Sequence, residues 1–526
     1  MNKTQGLLLT SILTLLLGAC INSPRQSEAD LSAFASYVYR LDTTRLQHSM
    51  QAILASDTSH WRSDQTVRQR YTSFERFEDI PLWFSRMGVS PDADSLLALL
   101  RRQLPQEGLD TSAFLVPQIA RDLAIVHELA FDSLGVDINE LLPRLDYHLS
   151  QAFVRYAAGL RYGFVRPARL FNQLDYKVGS TDYARLFDFE VKAPDYDAVL
   201  QQLTDSEERM NYLRDSHPTG AVYEALRQQL SQTTDPAQRR TLAINLERCR
   251  WQMPQPPTAG RRILVNLAAQ QLWAISPDST MNMLICCGST LTKTPLLHSA
   301  VSHLQVNPDW IIPQNIIRNE VVHHAGDSAY FARNHYYIVN RSTGDTLRAR
   351  QVTSAQMESG QLRIGQHGGP GNSLGRIVFR FANGFAIYLH DTNNPNAFKR
   401  ERRTLSHGCI RVQRPFDLAQ FLLPDADEWT LDRLRLSMDL PPESERGIQY
   451  LKDLNTRKRE DPSFSIPKPL RLISYHDVKP NVPVYITYFT AYPNPATGSV
   501  EFFSDIYGYD KVIARELSQL LSASPA

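Results

Sequence analysis

The hydrophobic periodicity of the chain changes once, near residue 254, and this change constrains the fold more than any other feature. Before it, apolar residues recur every three or four positions, as in residues 146–161 (DYHLSQAFVRYAAGLR), which is typical of a helix with one apolar stripe. After it, apolar residues alternate with others, which is typical of strands. Residues 254–257 (PQPP) break both patterns and indicate a domain boundary. We therefore predict an α+β protein, with a mainly helical N-terminal domain followed by a β-rich domain.

The same patterns give domain limits. Residues 31–253 form the helical domain, and its apolar stripes are interpreted as helix packing because no residues in it have catalytic spacing. Residues 260–426 form the β-rich domain, in which residues 307–353 are rich in Trp, Tyr, His and Asn and are predicted to be a lid or a subdomain. Residues 427–470 are helical and charged. Residues 471–526 contain a hairpin that completes the β-rich domain, and a tail.

Five short segments carry the first strand predictions. Alternation at residues 263–267, a short turn and the apolar run at residues 271–275 predict a hairpin. Further strands are predicted at residues 283–287, 377–381 and 385–390.

The N-terminus is typical of an export signal. Lys3 precedes a mostly apolar run at residues 6–17, which is shorter than the roughly 20 residues of a spanning helix. The run ends in Leu-Gly-Ala-Cys, which resembles the bacterial lipobox, whose cysteine is lipidated and becomes the mature N-terminus. We expect a lipoprotein signal peptide at residues 1–19, a lipid on Cys20 and a tether at residues 20–30, on the periplasmic side of the cell envelope. The alternative is a generic signal peptide in which Cys20 is incidental.

Charge and cysteine content exclude some classes of protein. The 56 basic and 55 acidic residues leave a net charge of +1, which gives no support to a nucleic-acid partner. Five cysteines are too few for a disulfide framework in a chain of this length. Apart from Cys20, the adjacent Cys286 and Cys287 follow an apolar run and are predicted to be buried strand residues. A disulfide that uses Cys249 remains an alternative.

Two motifs concentrate the reactive side chains: YLHDTN at residues 388–393 and SHGCIR at residues 406–411. A thiol is nucleophilic only as the thiolate, and a neighbouring histidine can accept its proton. Cys409 follows His390 by 19 positions, and the polar, basic loop between them is long enough to bring the second motif back beside the first. We predict a cysteine nucleophile with a histidine base.

The residues around the thiol fit that chemistry. Gly408 permits backbone conformations that aim consecutive amides at one point, as an oxyanion requires, and each such donor is commonly worth about 3 kcal/mol. Arg411 could lower the thiol pKa or bind a substrate carboxylate, and we favour the carboxylate because of the planar fork of the guanidinium group.

Two other interpretations were weighed. His390, His407, His367 and Cys409 could bind zinc, but they lack the short paired spacings of structural zinc sites. Alternatively, Cys409 is a small buried residue and the histidines cap strands. We favour the nucleophile and predict neither a metal nor a cofactor.

At these motifs the chain resembles the L,D-transpeptidase (YkuD-type) catalytic domain, whose pattern is a histidine, about fifteen to twenty residues, and then Ser/Thr-His-Gly-Cys-x-Asn/Arg. It is similar to the long subgroup of that family, which has a helical scaffold domain and a capping subdomain. The segments that carry the wider resemblance are residues 307–313, 375–379, 386–392, 400–403, 484–488 and 505–508.

The resemblance implies a mechanism for the principal residues. Cys409 would attack the carbonyl of the diamino acid in a peptidoglycan tetrapeptide stem and expel the terminal D-alanine, with His390 as the base. The amine of an acceptor stem would then resolve the thioester and give a 3→3 cross-link. Carbapenems would acylate the same thiol.

It also implies roles for the neighbouring residues. Tyr388 would contribute a hydroxyl to the substrate or the oxyanion, and amides near Gly408 would form the oxyanion site. Either a backbone carbonyl or Asp391 would orient the base. Ser406 and His407 would hold the loop or act in catalysis.

Other activities use the same residues. Water as acceptor would give an L,D-carboxypeptidase, and a lipoprotein amine or a D-amino acid would give attachment or exchange. A non-catalytic wall-binding lipoprotein is a further alternative, against which the intact thiol and imidazole argue. The expected partners are donor and acceptor stem peptides, together with the membrane through the lipid.

Overall fold

The computed structural model describes residues 41–73, 79–85, 87–174, 185–254, 256–257 and 259–522. The expected signal peptide, the lipidated Cys20 and the tether lie outside these ranges. Across the described part of the chain, no helix combines the length and the apolar character needed to span a bilayer. The chain divides into two compact units, and the first contains the described residues up to Arg161 together with Pro194–His217.

The helices are distributed along the whole chain. In order they are α1 (Thr43–Ser56), α2 (Arg62–Thr72), α3 (Pro91–Gln106), α4 (Val116–His127), α5 (Phe131–Leu134), α6 (Ile138–Tyr162), α7 (Pro167–Asn172), α8 (Tyr196–Thr204), α9 (Arg209–Arg214), α10 (Ala221–Gln232), α11 (Pro236–Arg250), α12 (Gln314–Asn319), α13 (Ser328–Arg333), α14 (Ser354–Glu358), α15 (Pro415–Leu422), α16 (Glu428–Ser437), α17 (Glu445–Glu460) and α18 (Tyr509–Glu516).

The first unit is helical and is built around α6, which has 25 residues. The residues of its predicted apolar stripe are completely buried, and they include Phe153 and Leu160. A capping side chain marks the start of α1. The Asp42 carboxylate accepts hydrogen bonds from the backbone amides of Thr44 and Arg45. A buried polar group also fixes the packing: the carboxylate of Asp146 accepts the backbone amides of Leu82 and Trp83.

Most strands lie in the second unit. In order they are β1 (Phe84–Ser85), β2 (Gly88–Val89), β3 (Phe187–Asp188), β4 (Arg262–Asn266), β5 (Gln271–Ile275), β6 (Thr280–Gly288), β7 (Leu296–Val306), β8 (Trp310–Ile311), β9 (Tyr336–Asn340), β10 (Thr346–Leu347), β11 (Leu362–Gln366), β12 (Ile377–Phe381), β13 (Leu389–His390), β14 (Thr404–Ser406), β15 (Ile410–Val412), β16 (Tyr475–Thr487), β17 (Ala491–Pro493) and β18 (Val500–Phe502).

The main sheet of the second unit has the order β12-β13-β15-β6-β5-β4-β16-β7-β3, and β14 pairs with β6. Because β12 pairs with both β13 and β7, the sheet closes on itself. The predicted hairpin is β4–β5, with Arg262 opposite Ile275. Most of its residues are buried, and Ile263 and Val265 are completely so. The late strand β16 lies between β4 and β7, so the end of the chain contributes a central strand.

A smaller sheet with the order β10-β9-β11-β8 is inserted between β7 and β12. Together with α12 to α14 it has its own apolar core, which includes Ile316, Met357 and Ile364. We call residues 307–366 the cap. It extends beyond the expected limit of residue 353 because β11, which pairs with both β8 and β9, is needed to complete this sheet.

The junction between the two predicted domains also differs from the expected position. Helices α10 and α11 belong to the second unit, although residues up to 253 were assigned to the helical domain. Their apolar faces, which include Leu226 and Leu242, form one core with Ala491 of the short β17–β18 hairpin. Helical periodicity predicts that a helix has a buried face, but not which core that face enters.

Candidate active site

The register between β13 and β15 brings the two reactive motifs together. These strands are parallel, and Leu389 lies opposite Ile410 while His390 lies opposite Arg411. Residues that lie opposite each other point to the same face, and successive residues alternate between faces. Leu389 and Ile410 are completely buried on one face.

The other face of this strand pair carries the polar residues. The amide of Ile410 donates to the carbonyl of Tyr388 at 3.1 Å, which extends the register by one residue. Cys409 therefore lies beside Tyr388, on the same face as His390 and Arg411. The structure thus places four of the predicted site residues in one patch of the sheet.

The loop that carries the nucleophile, residues 406–409, is held by its own serine. The Ser406 hydroxyl donates to the Cys409 carbonyl at 2.5 Å and accepts the Gly408 amide at 3.1 Å. Gly408 has φ +116°, a left-handed conformation that L side chains rarely adopt. Its amide is therefore occupied by the loop itself. The amide of Cys409 donates to no acceptor among the described residues, and it is the oxyanion donor that the loop leaves available.

A second loop, residues 288–294, supports this nucleophile loop from the neighbouring strand. Thr292 donates its hydroxyl to the Ser406 carbonyl at 2.9 Å, and Thr294 donates to the Gly408 carbonyl at 2.9 Å. Tyr507 anchors the support, since its hydroxyl donates to the Gly288 carbonyl at 2.7 Å. The threonines were missed because hydroxyls that hold carbonyls have no sequence signature. Tyr507 fell within a segment of the family resemblance but received no role.

Of the proposed catalytic pair, His390 is buried and Cys409 is half-buried. Burial raises the pKa of the Cys409 thiol, although Tyr388 and the charge of Arg380 act in the opposite direction. Burial, assisted by the charge of Arg411, lowers the pKa of His390 to about 3. The resting pair is therefore a neutral thiol and a neutral imidazole.

The Asp391 side chain is engaged elsewhere, which argues against it as the group that orients His390. The Asp391 carboxylate accepts the Arg376 amide at 2.8 Å, and burial raises the pKa of Asp391. It also packs against Gly375, where a Cβ would come within 2.4 Å of its Cγ. The backbone of Asp391 and that of Leu374 act on the imidazole by raising its pKa, against the effect of burial. The Nδ1 atom of His390 is buried without a hydrogen-bond partner among the described residues.

Tyr388 connects the nucleophile to two residues that sequence reasoning missed. Burial raises the pKa of Tyr388 to about 12, and the charge of Arg380 and the side chain of Trp310 of the cap oppose this rise. The guanidinium carbon of Arg380 lies 4.3 Å from the centre of the Tyr388 ring. Trp310 fell within the aromatic-rich segment and within residues 307–313 of the family resemblance, but it received no role. Arg380 lies in a strand whose alternation drew attention to its apolar residues.

Two domains of known protein families match parts of this chain. The sequence model of the L,D-transpeptidase catalytic domain (YkuD) matches residues 260–431, and that of a scaffold domain matches residues 68–230. Residues 260–431 therefore form an L,D-transpeptidase (YkuD) catalytic domain. The predicted resemblance and the predicted α+β fold class are thereby confirmed.

One curated relative is a Haemophilus influenzae protein described as "Putative L,D-transpeptidase". It is 27% identical over 274 residues, which cover 52% of this chain and 48% of that protein. The chain therefore matches about half the length of this relative.

In this L,D-transpeptidase domain, Arg411 is a cation that acts on the proposed base, His390. It lies between His390 on β13 and Cys286 on β6, and it opposes Cys286 in the antiparallel register. Its side chain is half-buried, and its Nε atom is buried without a hydrogen-bond partner in the described part of the chain. A guanidinium in this position has donors left for a substrate group.

The histidines considered for zinc have other partners. The Nε2 atom of His407 lies 2.6 Å from Glu320 of the cap, and the Nδ1 atom of His367 lies 3.9 Å from Asp309. Within the described ranges no three His, Cys, Asp or Glu side chains are grouped so as to hold a metal ion. All four described cysteines are free thiols, so the structure contradicts the alternative of a disulfide at Cys249.

Proposed function

We propose that this protein is a peptidoglycan L,D-transpeptidase that forms an acyl-enzyme at Cys409. The observation that carries the proposal is the placement of Cys409 and His390 on one face of the parallel strand pair, beside the unoccupied Cys409 amide. A nucleophile, a base and an oxyanion donor are the parts that acyl transfer needs. The family of the catalytic domain supports the same reaction class.

Acylation begins from the neutral pair. Cys409 loses its proton to His390 as Sγ attacks the carbonyl of the diamino acid, because neither charged form is favoured at rest. The oxyanion of the tetrahedral intermediate accepts a hydrogen bond from the Cys409 amide, and the Tyr388 hydroxyl donates a second hydrogen bond to it. When the C–N bond breaks, His390 returns the proton to the leaving D-alanine amine. A thioester on Cys409 remains.

Deacylation reverses these roles. The side-chain amine of an acceptor stem attacks the thioester carbonyl and transfers a proton to His390. The C–S bond breaks, the thiolate takes that proton back, and a 3→3 cross-link is released. Arg411, with its unpartnered Nε, is assigned to a stem carboxylate. Ser406, Thr292 and Thr294 are assigned to holding the loop.

Mass spectrometry of muropeptides tests this proposal. The purified chain should convert tetrapeptide monomers to dimers with loss of D-alanine, while Cys409→Ser should give none because an alkoxide is far harder to generate than a thiolate. Cys249→Ser is the matched control and should retain activity. A carbapenem should add mass at Cys409 alone.

Two results would contradict the proposal, each in a different way. Hydrolysed tripeptide without dimers would identify an L,D-carboxypeptidase. A carbapenem adduct on Cys249, Cys286 or Cys287 would remove Cys409 from the role of nucleophile.

A further inference from the structure

Arg380 shares the reactive face of the sheet with the nucleophile. Strands β12 and β13 are antiparallel, with Val378 opposite His390 and Phe379 opposite Leu389. The same register places Arg380 opposite Tyr388, which lies beside Cys409 on the next strand. Since neighbouring strands are about 4.8 Å apart, Arg380 starts two strand spacings from the thiol and reaches toward it over the tyrosine ring.

The guanidinium group of Arg380 is held in a fixed position. Its Nε and Nη2 atoms donate to the Gln305 side-chain oxygen at 3.3 and 3.0 Å. Its carbon lies 4.3 Å from the centre of the Tyr388 ring. One edge of the planar group is therefore occupied by a neutral acceptor, and Nη1 has no recorded acceptor in the described part of the chain. The side chain is half-buried.

The charge of Arg380 is not compensated by a carboxylate. Within the described ranges no Asp or Glu oxygen lies within ion-pair distance of it, whereas Arg376 pairs with Asp439 at 2.6 Å and Arg248 pairs with Asp510 at 2.6 Å. Its neighbour on β7, His303, is near Asp477, but that carboxylate pairs with Lys479 at 3.4 Å. A preorganised, half-buried cation with a neutral partner and a free edge is suited to an anion from outside the protein.

We propose that Arg380, positioned by Gln305, binds a carboxylate of the donor peptide beside Cys409. This inference rests on the proposed function and adds a specificity residue to it. Donor stems offer such a group both on the leaving D-alanine and on the residues before the scissile bond. Arg380 and Arg411 then lie on the two sides of the reacting centre, so the donor is recognised through two of its carboxylates.

Peptide binding tests this inference separately from transfer. In the Cys409→Ala background, Arg380→Gln should weaken binding of the donor tetrapeptide by roughly tenfold or more, the loss expected for a charge-assisted hydrogen bond. Gln305→Glu should weaken it similarly, because the new carboxylate would occupy the guanidinium. Arg457→Gln, an exposed arginine of α17 that undergoes the same change of charge, is the matched control and should not alter binding.

Amidated peptides identify the carboxylate. One analogue carries a C-terminal amide on D-alanine, and the other carries amides in place of the upstream carboxylates. The analogue that lacks the recognised group should bind weakly to the parent and no more weakly to Arg380→Gln. The other analogue should retain the full effect of the substitution.

The outcomes separate the two proposals. If Arg380→Gln leaves binding unchanged, or weakens every analogue equally, the carboxylate site is wrong even where the wild type forms cross-links. If binding depends on Arg380 but the wild type forms no acyl-enzyme, the proposed function is wrong and the site stands. With active Cys409, Arg380→Gln should raise KM. It should also slow iodoacetamide inactivation slightly, because the charge of Arg380 lowers the pKa of the thiol. A slower inactivation with constant KM would show that Arg380 tunes the thiol instead.

Discussion

Cys409 and His390 rest in their neutral forms because burial disfavours both charges. A thiolate–imidazolium pair, which a lowered thiol pKa would produce, is not expected before the substrate binds. In the proposed mechanism, the substrate displaces the remaining water and supplies the oxyanion to which the Cys409 amide donates a hydrogen bond. Proton transfer is therefore coupled to bond formation at the carbonyl.

The pH dependence of alkylation tests the neutral thiol. Inactivation by iodoacetamide should accelerate steadily from about pH 6 to about pH 9, because a raised pKa leaves the thiolate fraction below saturation throughout this range. Rates of activity loss would be measured against pH, with Cys409→Ala as the blank for labelling at other thiols. A rate that is already maximal at pH 6 would show a preformed thiolate.

Substitution of Arg411 separates anchoring from tuning of the base. Arg411→Ala should raise KM for the donor with little change in kcat, because the lost contact acts in the ground and transition states alike. It should also raise the pKa of His390, since the charge of Arg411 helps to lower it. Steady-state kinetics and NMR titration of the imidazole would measure the two effects. An unchanged KM would refute the anchoring role.

At the residue scale, the sequence predicted Cys409 and His390 as the reactive pair but not what surrounds them. Cys409 and His390 lie in two motifs whose chemistry can be predicted, because few roles other than catalysis explain Ser-His-Gly-Cys in a polar loop. Arg380 was not predicted, because only the pairing of β12, β13 and β15 brings it near Cys409. The group that orients His390 was left open because the engagement of Asp391 with the Arg376 amide depends on a close approach at Gly375.

At the scale of elements, the cap meets the nucleophile loop through side chains on both sides of Cys409. Trp310 of β8 interacts with Tyr388, and Glu320, which follows α12, pairs with His407. The Glu320–His407 pair is about half-exposed on both sides, so solvent screens it, and its net contribution is expected to be below about 1 kcal/mol. Its main effect is to restrain the cap relative to the loop.

Glu320→Gln is expected to loosen the cap without unfolding the protein. Hydrogen–deuterium exchange should increase in residues 314–324 and remain constant in α15, which lies outside the cap, because the surface pair contributes little to the free energy of unfolding. Glu358→Gln, an exposed change in the same cap, is the control. Equal exchange in both variants would mean that the pair does not restrain the cap.

The strand predictions were correct where the backbone stays extended along the whole alternating segment. The bounds predicted for β12 are those observed, residues 377–381. The strand predicted at residues 385–390 is reduced to Leu389–His390. Asn383 accepts the amides of Phe385 and Ile387, and Ala386 adopts a left-handed conformation with φ 54°, so the backbone turns there. Alternation alone cannot reveal such a side-chain-capped turn.

At the scale of the whole molecule, the chain separates a helical unit from the unit that carries the chemistry. Helices α10 and α11 join the catalytic unit, and α11 adds a polar contact: the Asn245 side chain donates to Thr490 at 2.8 Å. Composition and periodicity predicted the two classes of structure. They could not assign these helices, because the decisive partners lie more than two hundred positions away in sequence.

Attachment to a membrane is proposed to depend on Cys20. The wild-type protein should sediment with membranes, and Cys20→Ala should release it or block its processing, because a diacylglyceryl group with a third acyl chain anchors durably. Fractionation, with N-terminal mass analysis of the mature protein, would measure both effects. A mature terminus other than residue 20, on a protein that stays in the supernatant, would refute the proposal.

The hydrogen bond from Tyr507 to Gly288 determines when, during synthesis, the loop at residues 288–294 gains its anchor. A chain is made from its N-terminus, so Cys409 is synthesised well before Tyr507, which anchors the supporting loop. Until β16 has closed the ring of strands and Tyr507 has reached Gly288, the loop at residues 288–294 lacks its anchor. Before Tyr507 docks, the molecule carries the thiol without the anchor of its supporting loop. We therefore expect the appearance of the thiol and the completion of its support to be separated in time.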